Sequence, residues 1–439
     1  MESATSSYYL GFDAVANGDL IDLPYRLLQK ASIMIFGLSA YSVKLPSIII
    51  GLLLGLLLIL LLNRWFKSNV SLLASCLVVL STPFLFLAGS GTPLIMLIFW
   101  PTLLLWLGSK IQGEKKPKQI YCFLFALALL LAIFTPYMLY FAIFCVFFVA
   151  IQPHLRFVVK SLPKLPLVFV GLIILAGVGT LVANTIMHPD TIMGLLFAKT
   201  YDITHFFDNL KSGFLPVFLF KGSAESVFLA PLVSLPMLAL ALIGLFSTTK
   251  GFFASRNSIA TLLLIFTVII TGFNPDAAIF IILPLSILVA HGLKYLLEKW
   301  YGLFPENPYA RITAIFPLAI LFGAMIVPSL LQYIYGYRYN PDVADRFSYD
   351  LAIVRENLSD EVLVVDEYYD FYKILENSMG LTVLEKEEGV SEEEMLRGVP
   401  KIALLHNTLA MDGYELSRII TSPMREDSDI IYLYSEKGE

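Results

Sequence analysis

The sequence predicts a polytopic all-α membrane domain, about ten transmembrane helices plus interfacial helices, followed by a small α/β soluble C-terminal domain. Of its 439 residues 57% are hydrophobic and only 15% charged, where a soluble globular chain devotes about 25% to charge. The mean hydropathy is +0.76. The charge is also divided. Residues 1–335 hold 20 Lys and Arg against 12 Asp and Glu, whereas residues 336–439 hold 10 against 23, so the two parts suit different surroundings. Neither has the basic character of a nucleic-acid binder, and no nucleic-acid partner is expected.

A bilayer core about 30 Å thick is crossed by about 20 apolar residues in a helix. On that rule spans fall near 44–62, 70–87, 93–108, 119–134, 137–151, 165–186, 231–247, 259–272, 277–293 and 312–335. They make residues 44–335 the transmembrane domain. Cys76, Cys122 and Cys145 sit inside these apolar runs, where a thiol is ordinarily a small buried hydrophobe. Their spacing gives no disulfide or zinc pattern.

The connecting loops set an orientation. Alternate loops carry Arg64 and Lys67, then Lys110, Lys115, Lys116 and Lys118, then Arg156, Lys160 and Lys164, then Lys250 and Arg256, then Lys294, Lys299 and Arg311. The intervening turns 88–92, 135–136 and 273–276 hold no Lys or Arg. The positive-inside rule therefore predicts a multi-pass protein of the cytoplasmic membrane with its basic loops inside. Segment 1–43, loop 187–230 and the acidic domain 336–439 then face outward. A free N-terminal tail bearing Glu2, Asp13, Asp19 and Asp22 has no preceding apolar segment to lead it across. The same orientation thus predicts a further helix upstream of Met1, with a genuine outward tail as the alternative.

Segment 1–43 is patterned for the interface. Leu23, Leu27, Leu28, Ile33, Ile35 and Leu38 recur at helical spacing around Arg26 and Lys30, as in helices lying at headgroup level. Loop 187–230 is too long and too aromatic for a plain connector, and it is expected to line a cavity at the outer leaflet. In 336–439, Glu361–Val365, Leu381–Leu384, Lys401–Leu405 and Ile430–Tyr434 read as strands. Tyr368–Glu376, Glu392–Leu396 and Tyr414–Ile420 read as helices between them. This alternation predicts a small α/β domain. No Gly-rich phosphate loop occurs in it, and no nucleotide cofactor is expected.

Three motifs add a family. The stretch VKLPSIIIG (Val43–Gly51) enters the first span, NRWFKSNVSLLA (Asn63–Ala74) makes the first inner turn, and LAGSGTP (Leu87–Pro93) follows at the outer end of the second span. FTPYML (Phe134–Leu139) and FPENPYAR (Phe304–Arg311) come later. Together these resemble the GT-C superfamily of membrane glycosyltransferases, in particular its protein mannosyltransferase and aminoarabinose transferase branch, glycosyltransferase family 39. The resemblance implies a sugar taken from a polyprenyl-phosphate carrier at the outer leaflet and passed to an outward-facing acceptor. It also implies an Asp-Glu pair ahead of the interfacial helices. Glu2 matches the second member, Met1 stands in the place of the first, and Leu94 stands where an acid often follows the Thr92-Pro93 turn.

Such a transfer needs a carboxylate to take the acceptor's hydroxyl proton and positive charge where the leaving phosphate gains charge. Glu2, through the resemblance, and then Asp13 are the candidate catalytic acids. Asp13 and Asp19 flank Gly18 in a turn-like stretch, so a turn or cap role competes for them. Arg26, Lys30, Lys44 and Arg338 are candidates for the donor phosphate. Arg338 lies among Tyr333, Tyr335, Tyr337 and Tyr339, so anchoring by an aromatic belt explains it equally well. A divalent cation is left open. Asp202, His205 and Asp208 share a helix face, but three ligands spread over two turns rarely close on one ion, and no metal ligands are assigned. Two other classes stay in view: a catalytically inactive scaffold of the same fold, and a transporter or flippase of a lipid-linked substrate. The spans are almost free of acids and bases, which disfavours an ion-coupled carrier.

Overall fold

The computed structural model describes residues 1–11, 20–113, 118–162, 164–196, 205–218, 234–249, 251, 254–303, 309, 313, 315–336, 350–358, 361–365, 368–385, 399–405, 408, 413–421 and 431–436. Contacts divide the chain into two compact units. One comprises Met1–Gly11, Arg26–Pro46 and Ile334–Glu439, the other Phe12–Tyr25 and Ser47–Tyr333.

The larger unit is helical throughout its described residues. Five of its helices are long and apolar enough to cross a bilayer: Ala40–Asn63, which begins in the other unit, then Pro93–Gln112, Val170–Met187, Arg256–Phe273 and Pro275–Gly302. Two bent pairs raise the number to seven if each counts as one span. These are Ser68–Val79 with Thr82–Gly89, bent by 65°, and Met138–Ile151 with Pro153–Lys160, bent by 98°. Pro83 and Pro153 open the second helix of each pair. A proline N-terminal position tolerates the missing N–H there, while the helix before it cannot run on through the ring. Gln119–Ala132, Pro236–Thr249 and Ala319–Tyr335 are shorter apolar helices. Each of the ten expected segments thus falls on an apolar helix, but only these five to seven meet the length of a span.

Burial sorts the helices. Pro275–Gly302 is 94% buried along its apolar window, whereas Val170–Met187 is 11% buried. A helix apolar on every face belongs either inside a bundle or against lipid, and the two are those extremes. The buried helix packs most extensively on Leu235–Thr249, and glycines permit it. A Cβ added to Gly244 would lie 1.9 Å from the Leu288 carbonyl oxygen, and one on Gly292 would lie 1.9 Å from that of Leu240. Such close backbone approach is how helices associate where lipid removes the hydrophobic drive.

The smaller unit carries a five-stranded mixed sheet in the order β2-β1-β3-β5-β4, with β1 Val362–Val365, β2 Val383–Glu385, β3 Lys401–Leu405, β4 Tyr414–Ile420 and β5 Ile431–Glu436. β1 pairs in parallel with β2 and β3; β5 pairs antiparallel with β3 and β4. Helix Tyr369–Met379 connects β1 to β2 and ends on Gly380 at φ +73°, the left-handed cap that glycine adopts without a Cβ clash. The strands alternate as a pleat requires. Leu363, Val365, Ala403, Leu405 and Leu433 join one core with Phe371, Ile374 and Leu375 of the helix. Val364, Ile402, Leu404 and Tyr434 form a second cluster. Ala4, Ile33 and Leu38 of the N-terminal segments are buried in the first of these cores.

One expected element is overturned. Tyr414–Ile420 is a strand, where its spacing predicted a helix. Leu416, Ile419 and Ile420 recur at i, i+3 and i+4, yet Leu416 and Ile419 are half exposed. The segment's backbone is satisfied by β5, along a register broken by a bulge between Leu416 and Arg418. The expected helix Glu392–Leu396 lies outside the described residues.

Candidate functional site

In the smaller unit the first helix, Glu2–Tyr8, is built onto the helix Leu23–Phe36 from its Arg26 onward. Gln29 is the joint. It is fully buried, accepts from the Ser3 and Ser7 hydroxyls at 3.0 and 2.8 Å, and donates from Nε2 to the Val43 carbonyl at 3.0 Å. One turn before it, Arg26 donates from Nη2 to the Ser6 carbonyl at 2.5 Å, and the next residue after it, Lys30, donates from Nζ to the Leu10 carbonyl. Both cations thus sit at the C-terminal end of the first helix, where positive charge is favoured by the exposed carbonyls. Arg26 is 6% exposed. Lys30 also borders a cavity of about 500 Å³ with Tyr8, Ile33, Met34, Gly37 and Ile374.

Of the candidate residues, the structure therefore brings Arg26 and Lys30 together against one helix end. Glu2 opens that helix, and its side chain is outside the described residues, as are Asp13 and Arg338 altogether. Lys44 is half-buried in the first turns of Ala40–Asn63. His205 pairs with Asp208 at 3.6 Å on an exposed surface, and Asp202 lies outside the described residues. Among the described residues no three His, Cys, Asp or Glu side chains are grouped to hold a metal ion.

The larger unit holds a second constellation that the sequence does not single out. Its centre is the turn before Leu23. Asp22 adopts φ 54°, a left-handed conformation that aspartate tolerates better than most residues, and its N–H donates to the Phe134 carbonyl at 2.8 Å. Tyr25 is fully buried. Burial pushes its hydroxyl pKa up; the Ser47 side chain acts the other way, and the Asp22 carboxylate adds to the rise. Ser47 in turn accepts the Gly91 N–H at 3.1 Å. Gly91 has φ +71°, and Ser90 and Thr92 beside it exchange a hydroxyl hydrogen bond of 2.8 Å. Gly51 lets its helix approach Thr82–Gly89: a Cβ there would meet that of Ala88 at 2.6 Å. VKLPSIIIG and LAGSGTP are thus packed on each other, and FTPYML is tied to them through Asp22 and Tyr25. In that third motif Tyr137 also adopts φ 64° and donates its N–H to the Leu195 carbonyl at 3.2 Å. Trp100 donates to Thr135 at 3.0 Å. The signal that could have found this site was Tyr25 and Asp22 flanking Leu23-Pro24 at a helix start, a pattern shared with ordinary caps.

Residues 24–180 match the dolichyl-phosphate-mannose-protein mannosyltransferase family, a range that takes in all three of these motifs. None of the curated protein sequences matches the chain significantly. Among solved structures, ArnT from Cupriavidus metallidurans in the apo state is 13% identical with a TM-score of 0.52, covering 98% of this chain and 92% of that one. The same ArnT bound to undecaprenyl phosphate is 11% identical with a TM-score of 0.51, covering 94% and 87%. The Archaeoglobus fulgidus oligosaccharyltransferase tethered with an acceptor peptide is 13% identical with a TM-score of 0.51, covering 82% of this chain and 55% of that one. Residues 24–180 thus carry the mannosyltransferase-family match, and the chain as a whole shares the fold of these membrane glycosyltransferases, the fold of the GT-C type.

Proposed function

We propose that this protein moves a sugar from a polyprenyl-phosphate donor to an outward-facing envelope lipid, glycan or protein. The observation that carries the reading is the convergence at Asp22 and Tyr25, where the motifs inside the mannosyltransferase match meet in one buried network. The fold shared with an ArnT bound to undecaprenyl phosphate supports the carrier. In this reading the protein spans the cytoplasmic membrane about ten times, with basic loops inside and the acidic α/β domain 336–439 outside.

The chemistry assigns roles to the chain's own groups. Glu2 or Asp13 takes the acceptor's hydroxyl proton as the new glycosidic bond forms. The bond from the sugar's anomeric carbon to the phosphate oxygen breaks, and the phosphate leaves on its lipid. Arg26, Lys30, Lys44 and Arg338 stabilise the charge it gains. Arg26 and Lys30 already hold backbone carbonyls, but a guanidinium carries five donors and an ammonium three, so each keeps donors to offer. The test is transfer by the purified full chain in liposomes, using labelled polyprenyl-phosphate sugar and mixed envelope acceptors. Release of polyprenyl phosphate with label in a glycosidic bond is the expected result. Label that crosses the bilayer still attached to its carrier would overturn the reading in favour of transport.

A further inference from the structure

Two cavities at one end of the helical unit share a wall. The first, about 300 Å³, is lined almost wholly by apolar side chains, among them Leu104, Phe125, Phe144 and Phe148. The second, about 650 Å³, is lined by Arg64, Lys67, Arg256 and Lys294 with Glu298. Trp65 and Arg256 belong to both. Arg256 Nη1 donates to the Trp65 carbonyl at 3.0 Å, which fixes the guanidinium at the junction of the basic and the apolar space. Lys294 pairs with Glu298 at 3.9 Å, and the described lining carries these four cations against that one carboxylate.

These residues lie where spans meet water. Arg64 follows the end of Ala40–Asn63, Arg256 opens Arg256–Phe273, and Lys294 is in the last turns of Pro275–Gly302. Ser47, in the network beside Gly91, is on the same helix as Asn63 and about 24 Å away at 1.5 Å per residue. The paired cavities are therefore a span's length from that network. An apolar slot opening beside clustered cations at headgroup depth suits a molecule with an acyl chain and a phosphate. A free anion would leave the apolar slot unused, and a neutral lipid would not offset the excess positive charge of the basic lining.

We propose that the paired cavities bind one anionic glycerophospholipid of the adjoining leaflet, its phosphate among Arg64, Lys67 and Arg256 and one acyl chain in the apolar slot. Gly108 lines that slot, and a Cβ there meets nothing within 4 Å. Gly108→Leu therefore fills the slot without a backbone clash.

The test is native mass spectrometry and thermal unfolding of the delipidated full chain, titrated with phosphatidylglycerol, phosphatidylcholine, inorganic phosphate or polyprenyl phosphate. Phosphatidylglycerol is expected to bind at least about tenfold tighter than phosphatidylcholine and to raise the unfolding temperature. Arg64→Gln and Lys67→Gln, on exposed side chains, each weaken it about fivefold, from about 1 kcal/mol per basic residue near an anionic headgroup. Gly108→Leu removes the temperature rise while unfolding no earlier than the parent in lipid-free detergent. Equal binding of the two phospholipids would overturn the proposal, as would an equal temperature rise with inorganic phosphate alone. Polyprenyl phosphate displacing phosphatidylglycerol at lower concentration would also overturn it, by assigning the slot to the carrier lipid.

Discussion

Replacing Gly244 or Gly292 with alanine tests how the most buried helix is held. In an exposed helix the change stabilises by about 1 kcal/mol, because glycine loses more backbone entropy than alanine. Here the new Cβ of residue 244 would lie 1.9 Å from the Leu288 oxygen, 2.8 Å from its carbonyl carbon and 2.9 Å from the Gly292 nitrogen. A carbon and a carbonyl oxygen tolerate no less than about 3.3 Å, so the helices must part by roughly 1.4 Å at the crossing. The obstacle is backbone, and no rotamer relieves it. Overpacking of this kind costs about 1–3 kcal/mol, and a gap of up to 1 Å already forfeits a quarter to a half of each neighbouring dispersion contact. At the upper end of that range, and after the propensity gain, the net loss is about 2 kcal/mol. Gly179→Ala is the control, since its Cβ meets nothing within 4 Å and only the gain applies. The free thiols of Cys76, Cys122 and Cys145 report unfolding through a thiol-reactive dye during a thermal ramp in detergent. Gly244→Ala and Gly292→Ala should unfold several degrees below Gly179→Ala. Equal midpoints would mean that the two helices do not cross on these glycines.

Other substitutions probe the sites. Glu2→Gln or Asp13→Asn should lower transfer about 10²–10⁴-fold, the usual contribution of a positioned proton acceptor; unchanged turnover in both variants removes both from the site. Gln29→Leu strips the acceptor from the Ser3 and Ser7 hydroxyls and should expose the first helix to limited proteolysis before the rest of the chain. Gly91→Ala forces a side chain into the left-handed region at a cost of about 1–2 kcal/mol and should lower the unfolding temperature; an unchanged midpoint would mean that residue 91 is not held at positive φ. Leu416→Lys, on an exposed position of the edge strand, should change stability by less than about 0.5 kcal/mol; a loss above about 1 kcal/mol would return that segment to a core-facing helix.

The spans were legible because a chain in lipid must satisfy its backbone internally, so a long apolar run has one conformation available whatever surrounds it. What the runs do not reveal is where they break: Pro83 turns the expected span 70–87 into a bent pair, and Pro153 starts a second, sharply bent helix directly past the expected span 137–151. The same holds for glycines. Gly51-x-x-x-Gly55 is visible as a local motif, and Gly51 does meet Ala88. The tighter crossing instead pairs Gly244 with Gly292, each unremarkable within its own helix. Tyr414–Ile420 failed in the other direction, since its helical spacing is real but its hydrogen-bond partner, β5, comes later in the chain.

Site residues divide along the same line. Arg26 and Lys30 could be picked from sequence because two cations one turn apart in an amphipathic helix are locally conspicuous, and they do converge on one helix end. Asp22 and Tyr25 could not, because what distinguishes them is contact with Phe134 and Ser47, residues set in other segments. A carboxylate in a left-handed turn reads as a cap until the third segment is in place. That gives Asp22 a physical claim beside Glu2 and Asp13: it is the described acid built into the network where the family motifs meet. Removing Asp22 alone, with Glu2 and Asp13 intact, separates a role in the reaction from one in holding Phe134. Asp22→Asn keeps the N–H bond and the turn preference, so a loss of transfer without a loss of stability would place its charge in the chemistry.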